Sequence, residues 1–373
     1  LPADAGANIG LMLPPGAAAA TANMAALMAG KAVVNLDPEQ PAETLAVCLR
    51  QAAVTTVLTC GAWHDAVRDR LPAGVRVVRA DETKISRSQV MRFLLRLLPA
   101  ALLRFLLPAR CTADGTAAIV FVRRGGETVG VRLSHANIVT NCRQVASLFP
   151  PRGDDVLLTA MPLHQALGLT MTLFLPLLES VPVVCHGDAA EARSMGRLCV
   201  EFEATLLCAD ARMLEAYAAS HALHPLMFAS LRYVLAGGGR LSDECAPAFR
   251  HKFGLAVHDG YGTTETTPVA TLNAQDVLNP ADLSVQQGHK PGTVGLPLPG
   301  TALRIVDPAT LEDLPHGASG LILIGGTQLM QGYLGDEART LRAIVERDGI
   351  DWFVTGDMGR LDEDGFLILD ASE

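Results

Sequence analysis

The groups best suited to chemistry in this sequence stand together in one run, His258-Asp-Gly-Tyr-Gly-Thr-Thr-Glu-Thr-Thr-Pro268. Gly260 and Gly262 bracket Tyr261, which allows a tight backbone turn presenting an aromatic face. Asp259 precedes them, hydroxyls follow at Thr263 and Thr264, and a carboxylate stands at Glu265. A hydroxyl can donate to a phosphate oxygen, and an adjacent carboxylate can hold Mg²⁺ beside it. Taken alone, such a run is also an ordinary polar turn.

Its neighbours give it a context. Upstream lies Leu235-Ala-Gly-Gly-Gly-Arg240, read as a strand ending in Gly237, Gly238 and Gly239, where a flat ring could approach the backbone closely. Downstream lie Asp351-Trp-Phe-Val-Thr-Gly-Asp357 and Leu361-Asp-Glu-Asp-Gly-Phe366. A carboxylate such as Asp357 can accept hydrogen bonds from both hydroxyls of a ribose. Between them fall Gly292-Thr-Val-Gly-Leu-Pro-Leu-Pro-Gly300 and Gln331-Gly-Tyr-Leu334.

The elements that must position these residues are short apolar runs alternating with helical stretches. Val33 to Leu36, Val54 to Leu58, Val156 to Thr159, Val181 to Cys185 and Leu231 to Ala236 read as strands, rich in β-branched residues and separated by helices. That pattern indicates mostly parallel sheets covered on both faces, an α/β fold. After Gly292 short strands alternate with Gly, Pro and Asp turns, which suggests a smaller β-barrel-like subdomain. The expected division is a first α/β subdomain over 1–110, a second carrying the site over 111–290, and a β-rich one over 291–373.

Composition excludes several classes. At 373 residues the chain has room for two or three cores, and 49% hydrophobic with 18% charged residues describes a globular protein. A net charge of −9 argues against general nucleic-acid binding, though not against a nucleotide, which a few backbone N–H groups can hold. The eight cysteines form no C-x-x-C pair and read as small buried residues of a reducing cytoplasm. The opening Ile9-Gly-Leu-Met-Leu13 reads as a strand with no basic segment before it, so a signal peptide is not expected, and a start inside the fold suggests a fragment. Residues 84–110 carry arginines among many leucines and no acid. They read as a surface helix packed by its leucines, with peripheral contact to the inner face of an anionic membrane as the alternative.

The order of these blocks resembles the adenylate-forming superfamily of acyl-CoA synthetases, peptide-synthetase adenylation domains and luciferases, and the likeness runs over almost the whole chain. Within it, the arginine- and leucine-rich segment and Met161-Pro-Leu-His-Gln-Ala-Leu-Gly-Leu169 look closest to the acyl-carrier-protein synthetase part of bifunctional 2-acylglycerophosphoethanolamine acyltransferases. The resemblance implies the large N-terminal domain of that fold. It also implies a two-step reaction: a carboxylic acid, here a fatty acid, attacks the α-phosphate of ATP, and the thiol of CoA or acyl carrier protein then takes the acyl group. Carried over by position, Tyr261 would stack on adenine within a pocket lined by Gly237 to Gly239 and the Asp259 to Thr263 turn. Thr264 would contact the α-phosphate, Glu265 would bind Mg²⁺, Asp357 would hold the ribose, and His164, Gln165 and Gly168 would border the acyl pocket.

Three departures qualify that expectation. The family's Ser/Thr/Gly-rich phosphate loop ends in Pro-Lys-Gly, whereas the matching loop here is Arg123-Arg-Gly-Gly-Glu-Thr-Val129. Val129 stands where the lysine belongs, Glu127 adds negative charge, and Thr128 is the one hydroxyl. Arg123 and Arg124, beside Gly125 and Gly126, would have to supply the compensating charge. Without one charge-assisted hydrogen bond to phosphate, binding weakens by on the order of 1.5–3 kcal/mol, so weak ATP turnover is expected. Gln165 occupies the usual histidine position, with His164 one place earlier. Asp370-Ala-Ser-Glu373 replaces the Gly-Arg that leads into a small domain bearing a catalytic lysine, so that domain is expected to be absent. Two functions follow: an acid-activating ligase core, or a non-catalytic relative that binds AMP, an acyl-adenylate or a partner.

Overall fold

The computed structural model describes residues 6–80 and 111–370, so the basic segment 84–110 lies outside the described residues. The chain divides into two compact units, residues 1–135 with 333–335, and residues 136–332 with 336–373.

The first unit is built on β1 (Asn8–Met12), β2 (Ala32–Asn35), β3 (Thr56–Thr59), β4 (Arg76–Arg79), β5 (Thr116–Arg124) and β6 (Glu127–Ser134). Their order is β6-β5-β2-β1-β3-β4, with the first five strands parallel and β6 antiparallel to β5. Met12, Val34, Val57 and Ile119 bury against Leu45, Cys48 and Leu49 of helix Ala42–Gln51, which is why these strands are apolar runs without alternation. Where the sequence suggested a boundary near residue 110, the first unit runs to residue 135. Val33 pairs with Ala118, so β5 and β6 extend the first sheet instead of opening a new one.

The second unit holds two large sheets and a two-stranded hairpin. The larger comprises β7 (Leu157–Thr159), β8 (Val183–Cys185), β9 (Leu206–Asp210), β10 (Tyr233–Gly237), β11 (Val257–Tyr261), β12 (Thr271–Leu272) and, after the hairpin of β13 (Val277–Leu278) and β14 (Val285–Gln286), β15 (Leu296–Pro297). Its order is β15-β12-β11-β10-β9-β7-β8, parallel from β8 to β11. Parallel pairing brings Thr159, Asp210, Gly237 and Tyr261 to one edge of the sheet, the C-terminal edge where open α/β sheets bind ligands. Tyr217, Phe228 and Phe249 fill its core. Under the sheet Asp155 is fully buried and accepts from the Arg232 guanidinium, Thr205 Oγ1 (2.7 Å) and Arg152 N–H (2.7 Å).

The second sheet is antiparallel: β16 (Ala302–Val306), β17 (Gly320–Gly325), β20 (Ile350–Leu361) and β19 (Ile344–Arg347) in that order, with β21 (Leu367–Leu369) on β20. The short strand β18 (Gly332–Tyr333) leads residues 333–335 back to the first unit, where Leu334 N–H donates to Gly130 O at 2.7 Å. The β-rich stretch expected from 291 onward is thus this sheet plus β15, and it belongs to the second unit.

Candidate nucleotide and acid site

β11 delivers Tyr261 to the sheet edge and the chain reverses at once, since Tyr261 pairs antiparallel with Thr271 of β12. The reversal is tight enough to demand glycine. A Cβ on Gly262 would lie 1.8 Å from Pro268 O, and one on Gly260 2.7 Å from Thr271 O. The turn is clamped from helix His135–Leu148: Asn141 Nδ2 donates to Val269 O (2.6 Å) and its Oδ1 accepts Val269 N–H (3.2 Å). Thr267 Oγ1 donates to Gln328 O (2.6 Å), and Thr266 Oγ1 accepts Thr263 N–H (2.9 Å). Glu265, in the middle, is fully buried, and its carbonyl takes the N–H of Met330 at 2.8 Å.

Asp357 meets this turn from β20. Its N–H donates to Thr355 Oγ1 (3.0 Å), and Thr355 Oγ1 donates to Ile322 O (2.8 Å), so the carboxylate projects from a pinned strand. The Tyr261 hydroxyl donates to Asp357 Oδ2 at 2.6 Å. The structure therefore joins two of the residues singled out from sequence, with Glu265 and the half-buried Thr264 a few positions along the same turn.

Behind the tyrosine, burial pushes the Asp259 carboxyl up to about 7, only partly offset by the Gly260 N–H it accepts. His258 is buried edge-on to Phe149 and Tyr233, with Nδ1 3.1 Å from Asn273 O. Burial first, then the neighbouring His289, pushes it down to about 4, so it is neutral at physiological pH.

Gly237 and Gly238 end β10 against the turn after β7. A Cβ on Gly237 would lie 3.0 Å from Leu167 Cδ2, so Leu167 rests on the glycine backbone. Gly238 has φ +76°, and a Cβ there would be 3.6 Å from Leu167 Cδ2 and 3.7 Å from both Gln165 Oε1 and Asp210 Cβ. Gly239 stands beside Ala211. Gly168 has no room for a side chain, since a Cβ there would lie 2.1 Å from Pro162 O in the turn bearing His164 and Gln165. The apolar stretch beyond Leu167 turns inward: Leu169, Met171, Leu173 and Phe174 are buried.

The stretch matched to the phosphate loop is a hairpin. β5 and β6 stay paired through Val122↔Val129, Arg123↔Thr128 and Arg124↔Glu127, leaving only Gly125 and Gly126 as a turn, with φ +58° and +83°. Two positive φ values make the two-residue hairpin that matches strand twist. Ladder pairing consumes the backbone groups a phosphate cradle would use. Arg123 Nη2 donates to Gly126 O (3.3 Å), Thr128 O accepts from Gln51 Nε2 (3.2 Å), and Val129 is buried.

Sequence reasoning missed the clamp on the Tyr261 turn, in which Asn141 Nδ2 also donates to Gln144 Oε1 (3.1 Å) and Thr267 is held by the Gln328 carbonyl, and it missed Asp210. Polar residues on the buried face of an otherwise amphipathic helix were the available signal for the first two. Among the described residues no group of three or more His, Cys, Asp or Glu side chains forms a metal cage, so a cation at Glu265 would need oxygens from a bound phosphate.

Residues 3–334 match the family described as AMP-binding enzyme. The chain belongs to that family. Among AMP-binding enzymes it is 28% identical over 320 residues to 4-coumarate–CoA ligase of Vanilla planifolia, covering 84% of this chain and 56% of that one. It is 27% identical over 256 residues to long-chain-fatty-acid–CoA ligase of Salmonella typhimurium, covering 67% and 43%. The chain thus spans about half the length of the curated relatives it matches. Its fold is that of o-succinylbenzoate coenzyme A synthetase from Bacillus subtilis, a structure solved with AMP (TM-score 0.78, 22% identity, 97% of this chain and 68% of that one). It is equally that of ATP-bound MatB from Rhodopseudomonas palustris (TM-score 0.77, 24% identity, 98% and 68%). The large N-terminal domain of the adenylate-forming fold, expected from the motifs, is the observed one.

Proposed function

We propose that the chain is the core of an acid–thiol ligase that binds the adenosine monophosphate part of ATP or of an acyl-adenylate. The observation carrying this reading is the Tyr261–Asp357 hydrogen bond at the glycine-lined edge of the parallel sheet. Tyr261 offers its ring to adenine, and Asp357 keeps its second oxygen for a ribose hydroxyl. Thr264 donates to the α-phosphate. Gln165 and His164 face the acid beside Leu167, which suits an apolar acyl body. Glu265 would hold Mg²⁺ together with the nucleotide's own phosphate oxygens, where the ion would neutralise charge on the leaving pyrophosphate. The acid carboxylate attacks the α-phosphorus and pyrophosphate leaves; a thiolate then attacks the acyl carbon and AMP leaves. Relatives named as CoA ligases support CoA as the acceptor and a fatty acid among the acids. A carrier-protein thiol, and contact of residues 84–110 with the cytoplasmic face of a membrane, rest on sequence alone. No described helix is long and apolar enough to cross a membrane.

The hairpin at Gly125–Gly126 favours a second reading, a relative that keeps AMP or acyl-adenylate binding and has given up the ATP tail. Calorimetry with AMP and Mg-ATP separates the two. Tighter binding of Mg-ATP, with acid-dependent exchange of labelled pyrophosphate into ATP in the full-length protein that Glu265→Gln abolishes, establishes the ligase. AMP bound at least as tightly as ATP, with no exchange, establishes the second. Failure to bind either nucleotide overturns both.

A further inference from the structure

The strand tip at Gly238 is met by one apolar side chain, Leu167, and two polar ones, Gln165 and Asp210. Asp210 ends β9 directly beside Gly237 of β10, its register partner. Its Oδ1 accepts Met213 N–H at 2.8 Å and so caps helix Ala211–Ala219. Its other oxygen has no hydrogen-bond donor and no cation among the described residues, although the side chain is half-buried. The charge is felt nearby: after burial, Asp210 is the next cause holding the Cys208 thiol and the Tyr217 phenol above their ordinary values. The Gln165 amide, also half-buried, makes no side-chain hydrogen bond among the described residues, and its Oε1 lies as near Gly238 as does Asp210 Cβ.

A half-enclosed carboxylate oxygen and an amide without donors or acceptors of their own form a poor wall for a plain methylene chain, because covering them with CH₂ groups removes water and returns nothing. They form a good wall for a donor. Leu167, which approaches the same glycine, supplies the apolar contact for the rest of the acid. We infer that Gln165 and Asp210 select acids carrying a hydrogen-bond-donating substituent, a protonated amine or a hydroxyl, close to the carboxyl group. The inference deepens the proposed function and rests on its assignment of this sheet edge to an acyl-adenylate.

Non-hydrolysable acyl-sulfamoyl adenosines test it by calorimetry on the chain as it stands. One apolar chain would carry an amine, a hydroxyl or a methyl at the first or second carbon from the carbonyl, with AMP measured in parallel. An amine or hydroxyl analogue should bind at least about ten-fold more tightly than its methyl counterpart, the worth of one hydrogen bond at a half-exposed site. Asp210→Asn keeps an N-cap acceptor and removes the charge; it should bring the amine analogue to within about three-fold of the methyl one while AMP binding is unchanged. Gln165→Leu should likewise narrow the hydroxyl preference. Methyl analogues that bind as well as or better than both donors, or an Asp210→Asn ratio that does not move, overturn the inference. AMP binding without discrimination sinks the inference alone. Discrimination among analogues without AMP binding sinks the adenosine reading alone, and no binding at all sinks both.

Discussion

The Tyr261 hydroxyl donates to Asp357 Oδ2 at 2.6 Å across 96 residues of sequence. The bond ties the end of a parallel strand to the antiparallel sheet and presets the carboxylate before any ligand arrives. Tyr261→Phe keeps the ring and removes the tether. AMP affinity should fall about five-fold, the worth of about 1 kcal/mol for a half-exposed charge-assisted bond, while the melting temperature changes little. Calorimetry and a thermal scan on the same sample check both halves, and unchanged AMP affinity would show that the tether plays no part in binding.

Gly262 faces a stricter demand. Gly262→Ala would force Cβ against Pro268 O at 1.8 Å, and the turn bearing Thr263 to Glu265 must then open. Loss of nucleotide binding with a lower melting temperature is the expected result. Gly187→Ala, where nothing lies within 4 Å and φ is ordinary, should change neither, and it serves as the matched control.

The second unit should depend strongly on its buried ion pair. Burial alone would raise the Asp155 carboxyl, but hydrogen bonds from Arg232, Arg152 N–H and Thr205 outweigh it and hold the group below its usual value. Arg232→Ala leaves a buried carboxylate unpaired and should cost about 3 kcal/mol in urea denaturation at pH 7. Because the folded value is depressed, this stabilisation is present above the unfolded value and is lost as pH falls through the folded one. The deficit of Arg232→Ala should therefore shrink below about pH 4.

Asp259 and His258 oppose each other in pH. Asp259, raised from 3.8 to about 7, holds its proton in the folded state while the unfolded chain has lost it, so stability falls as pH climbs between those values. His258, lowered from 6.5 to about 4, stays neutral while the unfolded chain is protonated, so stability falls as pH drops through that window. Asp259→Asn removes the first effect alone. Relative to the parent, the variant should gain on the order of 2 kcal/mol between pH 4.5 and pH 8, read from urea midpoints. A flat difference across that range would show that Asp259 ionises normally.

The residues proposed to carry the chemistry were legible because their types are rare together. Gly-Tyr-Gly before Thr-Thr-Glu, a triple glycine after a strand and Thr-Gly-Asp point together to one family, and residues 3–334 match that family. Apolar runs without alternation likewise announced parallel sheets before any strand was paired. The clamp was not legible. Asn141 and Val269 are 128 residues apart, and an asparagine on a helix carries no local mark of what it will hold.

By itself, then, the sequence determined the family, which side chains are candidates for a nucleotide site, and that strands alternating with helices would form mostly parallel sheets. Tertiary structure decided the rest, because those outcomes depend on pairings between distant segments. It made a two-residue hairpin of the stretch read as a phosphate loop, by running β5 and β6 in register to Arg124 and Glu127. It also set Asp210 beside Gly238, since only parallel pairing of β9 with β10 brings the ends of two separate strands to one point.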